Sequence, residues 1–318
     1  MRTAIVGCGT IAEVHAKSLE QVKGCKIIAF SDIKKDRAEY YADRFWGKAY
    51  KDFTTMLNEE EPDVLHICTP HYLHVPMAIT ALKSGAHVFV EKPAVISREQ
   101  LKELECAVAK ANTRLGICFQ NRYNKCIQKA RALIESGKAG HIIGARGVVT
   151  WSRDIDYYQK SDWRGSWDKE GGGVLINQSI HTLDLLQYLL KKPLFVEATI
   201  SNHHLKNFIE VEDTVEAYIQ FEKSIACFYA TTAYCTNATP LIELECENMR
   251  IRLEDPNITI YHKDGRIERP DLGKGSSLGM NYYGSGHVNC IYDFYNCLRD
   301  DRHFPQELSD MRESIRWF

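Results

Sequence analysis

The sequence predicts two units: an α/β unit over residues 1–122 on a parallel sheet, and an α+β unit over 123–318 on an open, mainly antiparallel sheet. Three observations carry this. A chain of 318 residues exceeds what one core usually holds. Up to about residue 122 continuous apolar runs alternate with helical patterns, as in a sheet covered by helices on both faces. From about 193 to 262 the apolar period falls to two, the mark of a sheet with one covered face.

In the first unit the apolar runs lie at 3–6, 26–30, 64–68, 87–90 and 115–119, and helical patterns at 34–45, 75–83 and 98–111 fall between them. Such alternation implies parallel strands joined by right-handed crossovers. After Arg122 a helix over 125–136 leads through Gly137 and Gly140 into a strand, then into an irregular aromatic segment over 151–173. A strongly apolar helix follows and ends before Pro193. In the two-period region Val215, Ala217, Ile219 and Phe221 share one face, and Glu216, Tyr218 and Gln220 the other. Further on, Asn248-Met249 reads as a two-residue hairpin loop. That would set Glu247 opposite Arg250 and Glu245 opposite Arg252 on a solvated or subunit-facing side, and Leu244 opposite Leu253 on the other. A helical pattern also opens at Asp310.

Bulk properties exclude several partners. The 40 basic and 42 acidic residues leave a net charge of −2, which gives no field for nucleic acid or an anionic membrane. No apolar run approaches the ~18 residues a membrane-spanning helix needs. The chain enters a strand at once from Met1, with no room for a leader. The eleven cysteines form no Cys-x-x-Cys pair. They read as free core thiols in a reducing, cytoplasmic setting, with no metal site expected.

Gly7-Cys8-Gly9-Thr10-Ile11-Ala12 is a G-x-G-x-x-A loop that follows a strand and opens a helix. Gly7 permits the tight turn, Gly9 lets the backbone approach a pyrophosphate, and Ala12 allows close helix–strand packing. The N–H groups of the helix start, at Thr10 and Ile11, would meet the phosphates. Asp32, about 20 residues past the loop at the end of the second strand, suits the adenosine ribose. The first unit is therefore expected to be a dinucleotide-binding Rossmann domain. Asp32 favours NAD by repelling a 2′-phosphate, whereas Lys34, Lys35 and Arg37 leave NADP open.

Further segments extend the match. They are Cys68-Thr69-Pro70-His71-Tyr72-Leu73-His74, Glu91-Lys92-Pro93, and Gly171-Gly172-Gly173 followed by His181. With the glycine loop, and in this order and spacing, the chain resembles the glucose–fructose oxidoreductase / inositol dehydrogenase (Gfo/Idh/MocA) family over essentially its whole length. The resemblance implies that Thr69, Pro70 and His74 line the nicotinamide half of the cofactor site, with Glu91 and Asn121 also on the cofactor. It implies that Lys92 is the active-site lysine and that Lys92–Pro93 is a cis peptide. It further implies a homodimer or homotetramer.

On a helical wheel Asn177, His181, Asp184 and Tyr188 form one narrow polar stripe on an otherwise apolar helix. A satisfied core network of His181 and Asp184 is one reading of it. The resemblance points instead to His181 as the acid–base residue, with a near-neutral pKa. Lys92, in a crevice poor in acids, would stabilise alkoxide charge. Most members of the family carry D-x-G-x-H where this chain has Asn177-Gln178-Ser179-Ile180-His181. Asn177 orients but cannot act as a base, so the proton work falls to His181 and Lys92. Trp163, Arg153 and Arg164 in the aromatic segment suit a sugar face and its hydroxyls. With Arg122, Asn177, His181 and Lys92 they make up the expected substrate-binding set.

The expected function is NAD(P)-dependent hydride exchange with a secondary alcohol or ketone of a sugar, inositol or sugar derivative. Two alternatives share the fold: a non-catalytic cofactor- or sugar-sensing regulator, and an NAD-dependent glycosidase.

Overall fold

A computed structural model describes residues 1–273 and 286–315. Its first sheet is six parallel strands in the order β3-β2-β1-β4-β5-β6. In chain order these are β1 (Arg2–Val6), β2 (Lys26–Ser31), β3 (Lys48–Tyr50), β4 (Val64–Ile67), β5 (His87–Glu91) and β6 (Leu115–Cys118). The helices between them are α1 (Thr10–Leu19), α2 (Lys35–Phe45), α3 (Phe53–Glu60), α4 (His74–Lys83) and α5 (Arg98–Lys110). The strand order reverses between β1 and β4, and the carboxyl ends of these two strands open the crevice where doubly wound sheets bind ligands. Every residue of β4 and β6 is buried, which explains their apolar runs, interrupted in β4 only by the hydrogen-bonded His66. Ser97 caps α5 and Asp52 caps α3 by accepting from backbone N–H groups, so the sequence starts those helices locally.

After α6 (Lys125–Glu135) comes β7 (Ile142–Thr150), followed by two short helices, α7 (Ile155–Gln159) and α8 (Trp167–Glu170). The expected long apolar helix is in fact two pieces. A π-helical turn, Val174–Gln178, ends at Ser179, and α9 (Ile180–Leu190) begins there. The Ser179 hydroxyl donates to the Val174 carbonyl at 2.8 Å, which helps close the wider turn. The remaining strands are β8 (Pro193–Ser201), β9 (Thr214–Phe221), β10 (Ile225–Thr231), β11 (Leu241–Cys246), β12 (Met249–Glu254), β13 (Asn257–His262) and β14 (Ile267–Glu268).

With β7 they form an eight-stranded sheet, β14-β13-β12-β11-β7-β10-β9-β8, antiparallel except for the β10–β7 pair. Leu183, Leu186 and Leu189 of α9 and Ile127 of α6 cover one face, packing with Val215, Ile219, Phe228, Leu244 and Ile251. The expected alternation in β9 holds: Val215, Ile219 and Phe221 are buried and Glu216 and Gln220 exposed.

The β11–β12 hairpin keeps its expected faces but not its expected pairs. Glu245 lies opposite Arg250, Glu243 opposite Arg252, Leu244 opposite Ile251 and Ile242 opposite Leu253. The turn is therefore Glu247-Asn248, not Asn248-Met249. Met249 is buried at the start of β12, and Glu247 is held by accepting the His141 N–H at 2.9 Å. Burying Met249 and anchoring Glu247 outweigh the turn preference of asparagine.

Two further helices, α10 (Gly286–Arg299) and α11 (Leu308–Ile315), return to the first sheet. Ile291, Phe294 and Tyr295 of α10 share a core with Ile5, Phe30, Phe89 and Cys118. Leu308 and Met311 of α11 join the core on the opposite side, with Leu65, Ile117 and Phe119. The helical pattern expected over 310–318 falls partly outside the described residues.

Candidate active site

The crevice is built from the carboxyl ends of β1, β4, β5 and β6 together with the start of α9. At its floor Gly7 has φ +86°, and a Cβ there would lie 2.6 Å from the Cys68 carbonyl carbon. Only glycine fits. Around Gly9, by contrast, a Cβ would meet nothing within 4 Å. The protein's own packing does not demand a glycine there, so the open approach suits a bound phosphate. No side chain caps the N-terminus of α1, which leaves the Thr10 and Ile11 N–H groups available. Asp32 accepts from the Cys8 N–H at 2.8 Å and the Lys34 N–H at 2.8 Å, tying the glycine loop to the end of β2. Cradle, free helix terminus and acidic ribose position all fit NAD.

Thr69 and Pro70 follow β4. His74 is buried beneath them, its two ring nitrogens 2.8 Å from the Thr69 carbonyl and 2.7 Å from the Pro93 carbonyl. It thus pins the β4 end to the β5 end. The Lys92–Pro93 peptide is cis, as the resemblance implied.

Glu91 is buried under Lys92 and accepts from His15 Nε2 at 2.8 Å. Burial alone would raise the Glu91 carboxyl and depress the His15 imidazolium. For Glu91 the contact with His15 outweighs burial and holds the carboxyl well below the usual range. For His15 the Cys118 and Glu91 side chains outweigh burial and hold it up at about 9. His15 Nδ1–H then donates to His66 Nδ1 at 2.8 Å, and His66 Nε2–H to the Tyr295 hydroxyl at 3.0 Å. Burial, then the His15 charge, keep His66 neutral, as this polarity requires. One ligand-type atom each of His15, Glu91 and Cys118 lies within 4.8 Å of the others, but the ion pair already engages two of them.

Lys92 Nζ crosses the crevice and donates to the Asn177 backbone carbonyl at 2.9 Å. Burial lowers its pKa, while Glu91, Cys118 and Glu170 act to raise it. The crevice is thus not poor in carboxylates as the sequence suggested, because Glu170 lies on its second-unit side. His181 meets Gln120, whose Nε2 donates to His181 Nε2 at 3.3 Å. Its Nδ1 is buried and has no partner among the described residues. The imidazole pKa is not near neutral but well below its ordinary value, through burial and then the Lys92 charge. His181 therefore rests in the neutral form.

The polar stripe read on the helical wheel divides. His181 serves the crevice. Asp184 takes a two-pronged ion pair from Arg122, Nε at 2.8 Å and Nη2 at 2.5 Å, and the Arg122 guanidinium lies 4.7 Å over the Tyr188 ring. Burial opposes the charge on Arg122, and Asp184 more than offsets it. This pair ties the segment after β6 to α9. Asn121 precedes Arg122, with its Oδ1 buried and without a partner among the described residues.

In the aromatic segment Trp163 packs on His71 with ring centroids 4.6 Å apart. Arg164 lies over Tyr157 and Trp163, and Arg153 over Trp151 and Tyr157. The Nε groups of both arginines are buried without partners among the described residues. Glu170 was not apparent from the sequence, where a lone acid before a glycine run carries no periodic signal. Its carboxylate accepts from Asn177 Nδ2 at 2.5 Å.

Residues 1–119 match the family described as "Oxidoreductase family, NAD-binding Rossmann fold", and residues 127–268 match its "GFO/IDH/MocA C-terminal domain". The chain belongs to the Gfo/Idh/MocA family. Among curated members it is 30% identical over 197 residues to the D-glucoside 3-dehydrogenase of Escherichia coli, covering 61% of this chain and 55% of that protein. It is 28% identical over 232 residues to the scyllo-inositol 2-dehydrogenase (NAD(+)) of Bacillus subtilis, covering 71% and 65%. The matches thus span 53–65% of the length of these and the other leading curated relatives. Among solved structures, the WlbA dehydrogenase from Bordetella pertussis, in complex with NADH and UDP-GlcNAcA, superposes with a TM-score of 0.85 at 26% identity. It covers 99% of this chain and 93% of that one. The first unit of this Gfo/Idh/MocA protein is an NAD-binding Rossmann domain. No described helix is long and apolar enough to cross a membrane.

Proposed function

We propose that the chain is an NAD-dependent dehydrogenase or reductase for a secondary alcohol of a sugar, cyclitol or sugar derivative. The observation that carries this reading is that Lys92 reaches across the crevice to the Asn177 carbonyl, four residues before a neutral His181 whose pKa its charge depresses, at the carboxyl end of a dinucleotide-binding sheet. Bound NAD would supply hydride acceptance and return at its nicotinamide ring. Thr10, Ile11 and the open backbone at Gly9 hold its phosphates, Asp32 its ribose, and Thr69, Pro70, Glu91 and Asn121 border its nicotinamide half.

Lys92 Nζ hydrogen-bonds the reacting oxygen and steadies negative charge on it. The neutral His181 takes the hydroxyl proton in oxidation and returns it in reduction. Its lowered pKa keeps it unprotonated, and Nε2, which accepts the long contact from Gln120, is the atom that takes the proton. Trp163 offers a flat apolar surface to a sugar ring, and Arg153 and Arg164 offer donors to hydroxyl or acid groups. Arg122 acts at one remove, by holding Asp184 and so α9. The names of relatives acting on glucosides and inositols support the substrate class.

The test is NADH absorbance with a panel of inositols, hexoses, hexose phosphates and nucleotide-sugar acids. Net NADH formation on a panel member is expected. No redox change on any member would overturn the reading in favour of a sensing protein, and cleavage of glycosides without net NADH would favour a glycosidase.

We also propose that the bare face of the second sheet meets a second copy of the chain. In edge strand β8, Val196 and Ile200 lie on the helix-covered face opposite Ile219 and Val215, whereas on the bare face Phe195 of β8, Tyr218 and Ile225 are exposed and make an apolar surface. Beside it run Glu197, Arg146, Glu243 and Arg252, charges of both signs that a two-fold axis can pair with themselves.

A further inference from the structure

We propose that Glu170 is a positioning residue that decides which end of the Asn177 amide faces the crevice. Glu170 closes α8 and is fully buried. Each carboxylate oxygen has one donor: the Gly165 N–H meets Oε2 at 2.5 Å, and Asn177 Nδ2 meets Oε1 at 2.5 Å. The Glu170 carbonyl is also engaged, by His71 Nδ1–H at 2.8 Å, so the whole residue is fixed in place. An ionised carboxylate only accepts hydrogen bonds. Beside it the Asn177 amide must present Nδ2, and Oδ1 is left as an acceptor with no partner among the described residues. The Asn177 backbone carbonyl already holds Lys92 Nζ, so that oxygen lies on the residue that anchors the lysine.

Protonation of Glu170 inverts this arrangement. Oε2 faces an N–H that cannot turn away, so the added proton must sit on Oε1. An Oε1–H beside Asn177 requires an acceptor, and the amide turns over to give one. The crevice then meets Nδ2, a donor. An amide that offers an acceptor to a hydroxyl in one state offers a donor to a carbonyl oxygen in the other. This consequence for substrate rests on the oxidoreductase reading, but the amide orientation does not.

The surroundings place the change in a useful range. Burial pushes the Glu170 carboxyl up to about 7. The Gly165 N–H, Asn177 and Arg164 act to lower it, and Glu212 to raise it. Lys92 after β5, His71 before α4 and Tyr158 of α7 complete the shell of titratable groups around it.

The test uses the full chain loaded with NAD, labelled with ¹⁵N at asparagine side chains and ¹³C at glutamate carboxyls. Asn177→Asp and Glu170→Gln assign the two signals by their loss. Across a titration from about pH 5.5 to about 8.5, both signals are expected to move together with one midpoint near 7. In Glu170→Gln the Asn177 signal should stay flat, near its acid-limb position, because the glutamine Nε2 donates as a protonated carboxyl does. Arg164→Met should move both midpoints upward together, and it keeps the test alive if Glu170→Gln does not fold. A wild-type Asn177 signal that does not titrate, or one that titrates unchanged in Glu170→Gln, overturns the proposal. No substrate enters the measurement, so failure of the oxidoreductase reading would leave this result intact.

Discussion

The two sheets solve the same burial problem differently. The six-stranded sheet is sealed on both faces, on one side by α1, α2 and α10 and on the other by α4, α5 and α11. Among the described residues the eight-stranded sheet is sealed by α6 and α9 on one face only. In the sealed sheet most residues are constrained by packing on both faces, which holds the ligand loop closely against the end of β4 at Gly7. The open sheet spends only one face on the core, which frees the other for a partner. The crevice lies at the seam, with Lys92 from the rigid side and Asn177 and His181 from the other.

If the seam is where the chemistry happens, substitutions there should have the largest effect. Lys92→Ala and His181→Ala are each expected to lower kcat by ~10²–10⁴-fold, as for loss of a charge-stabilising or acid–base group. NAD affinity should change little in the His181 variant, as read by fluorescence titration. Near-wild-type turnover in either variant would remove the seam from the mechanism.

Next comes the rigidity of the sealed sheet. Gly7→Ala meets both a φ of +86° and a 2.6 Å clash with the backbone at Cys68. It should cost about 2–5 kcal/mol in denaturant unfolding, the sum of strained φ and overpacking, and abolish NAD binding. Unchanged binding would mean that the loop is softer than the packing implies.

The open sheet predicts the reverse pattern, a change of association with little change of stability. Tyr218→Arg on the bare face should shift sedimentation toward the monomer and alter unfolding of the monomer by under about 0.5 kcal/mol. A wild-type chain that sediments as a monomer at micromolar concentration would leave the face without its second copy. The smallest effect belongs to Glu243→Ala. Its carboxylate lies 3.0 Å from Arg146 and 3.7 Å from Arg252. Near the surface each pair should contribute only about 0.2–1 kcal/mol, which a double-mutant cycle with Arg252→Ala can read.

The same contrast explains what the sequence disclosed. Five strands of the sealed sheet are apolar-rich runs, and the glycine loop has a fixed spacing, so both were legible to within a residue or two, but the short, half-exposed edge strand β3 was not read at all. In the open sheet the faces were legible from alternation, yet the β11–β12 pairing was not. Alternation fixes a face, whereas pairing depends on where the turn falls, and Met249 and Glu247 decided that through contacts distant in the chain. The π-helical turn at Val174–Gln178 was hidden because a wheel assumes one uniform period. Arg122 read as a group for substrate, but its partner Asp184 is 62 residues away. Glu170 and the His15–Glu91 pair were hidden for the same reason, since single ionisable residues announce no partner.

The return of α10 bears on how the molecule comes into being. A chain emerging from a ribosome presents β1 to β6 first, yet Ile5, Phe89 and Cys118 gain their cover from Ile291, Phe294 and Tyr295 only after the whole second sheet has been made. At ~5–20 residues per second, roughly ten to thirty seconds separate β6 from α10. During that interval the part of this side of the nucleotide-binding sheet that α1 and α2 do not cover stays greasy and exposed, a natural foothold for chaperones. A fragment cut after residue 122 would remain in that half-dressed state, so the unit that holds the cofactor is continuous in space but not along the chain.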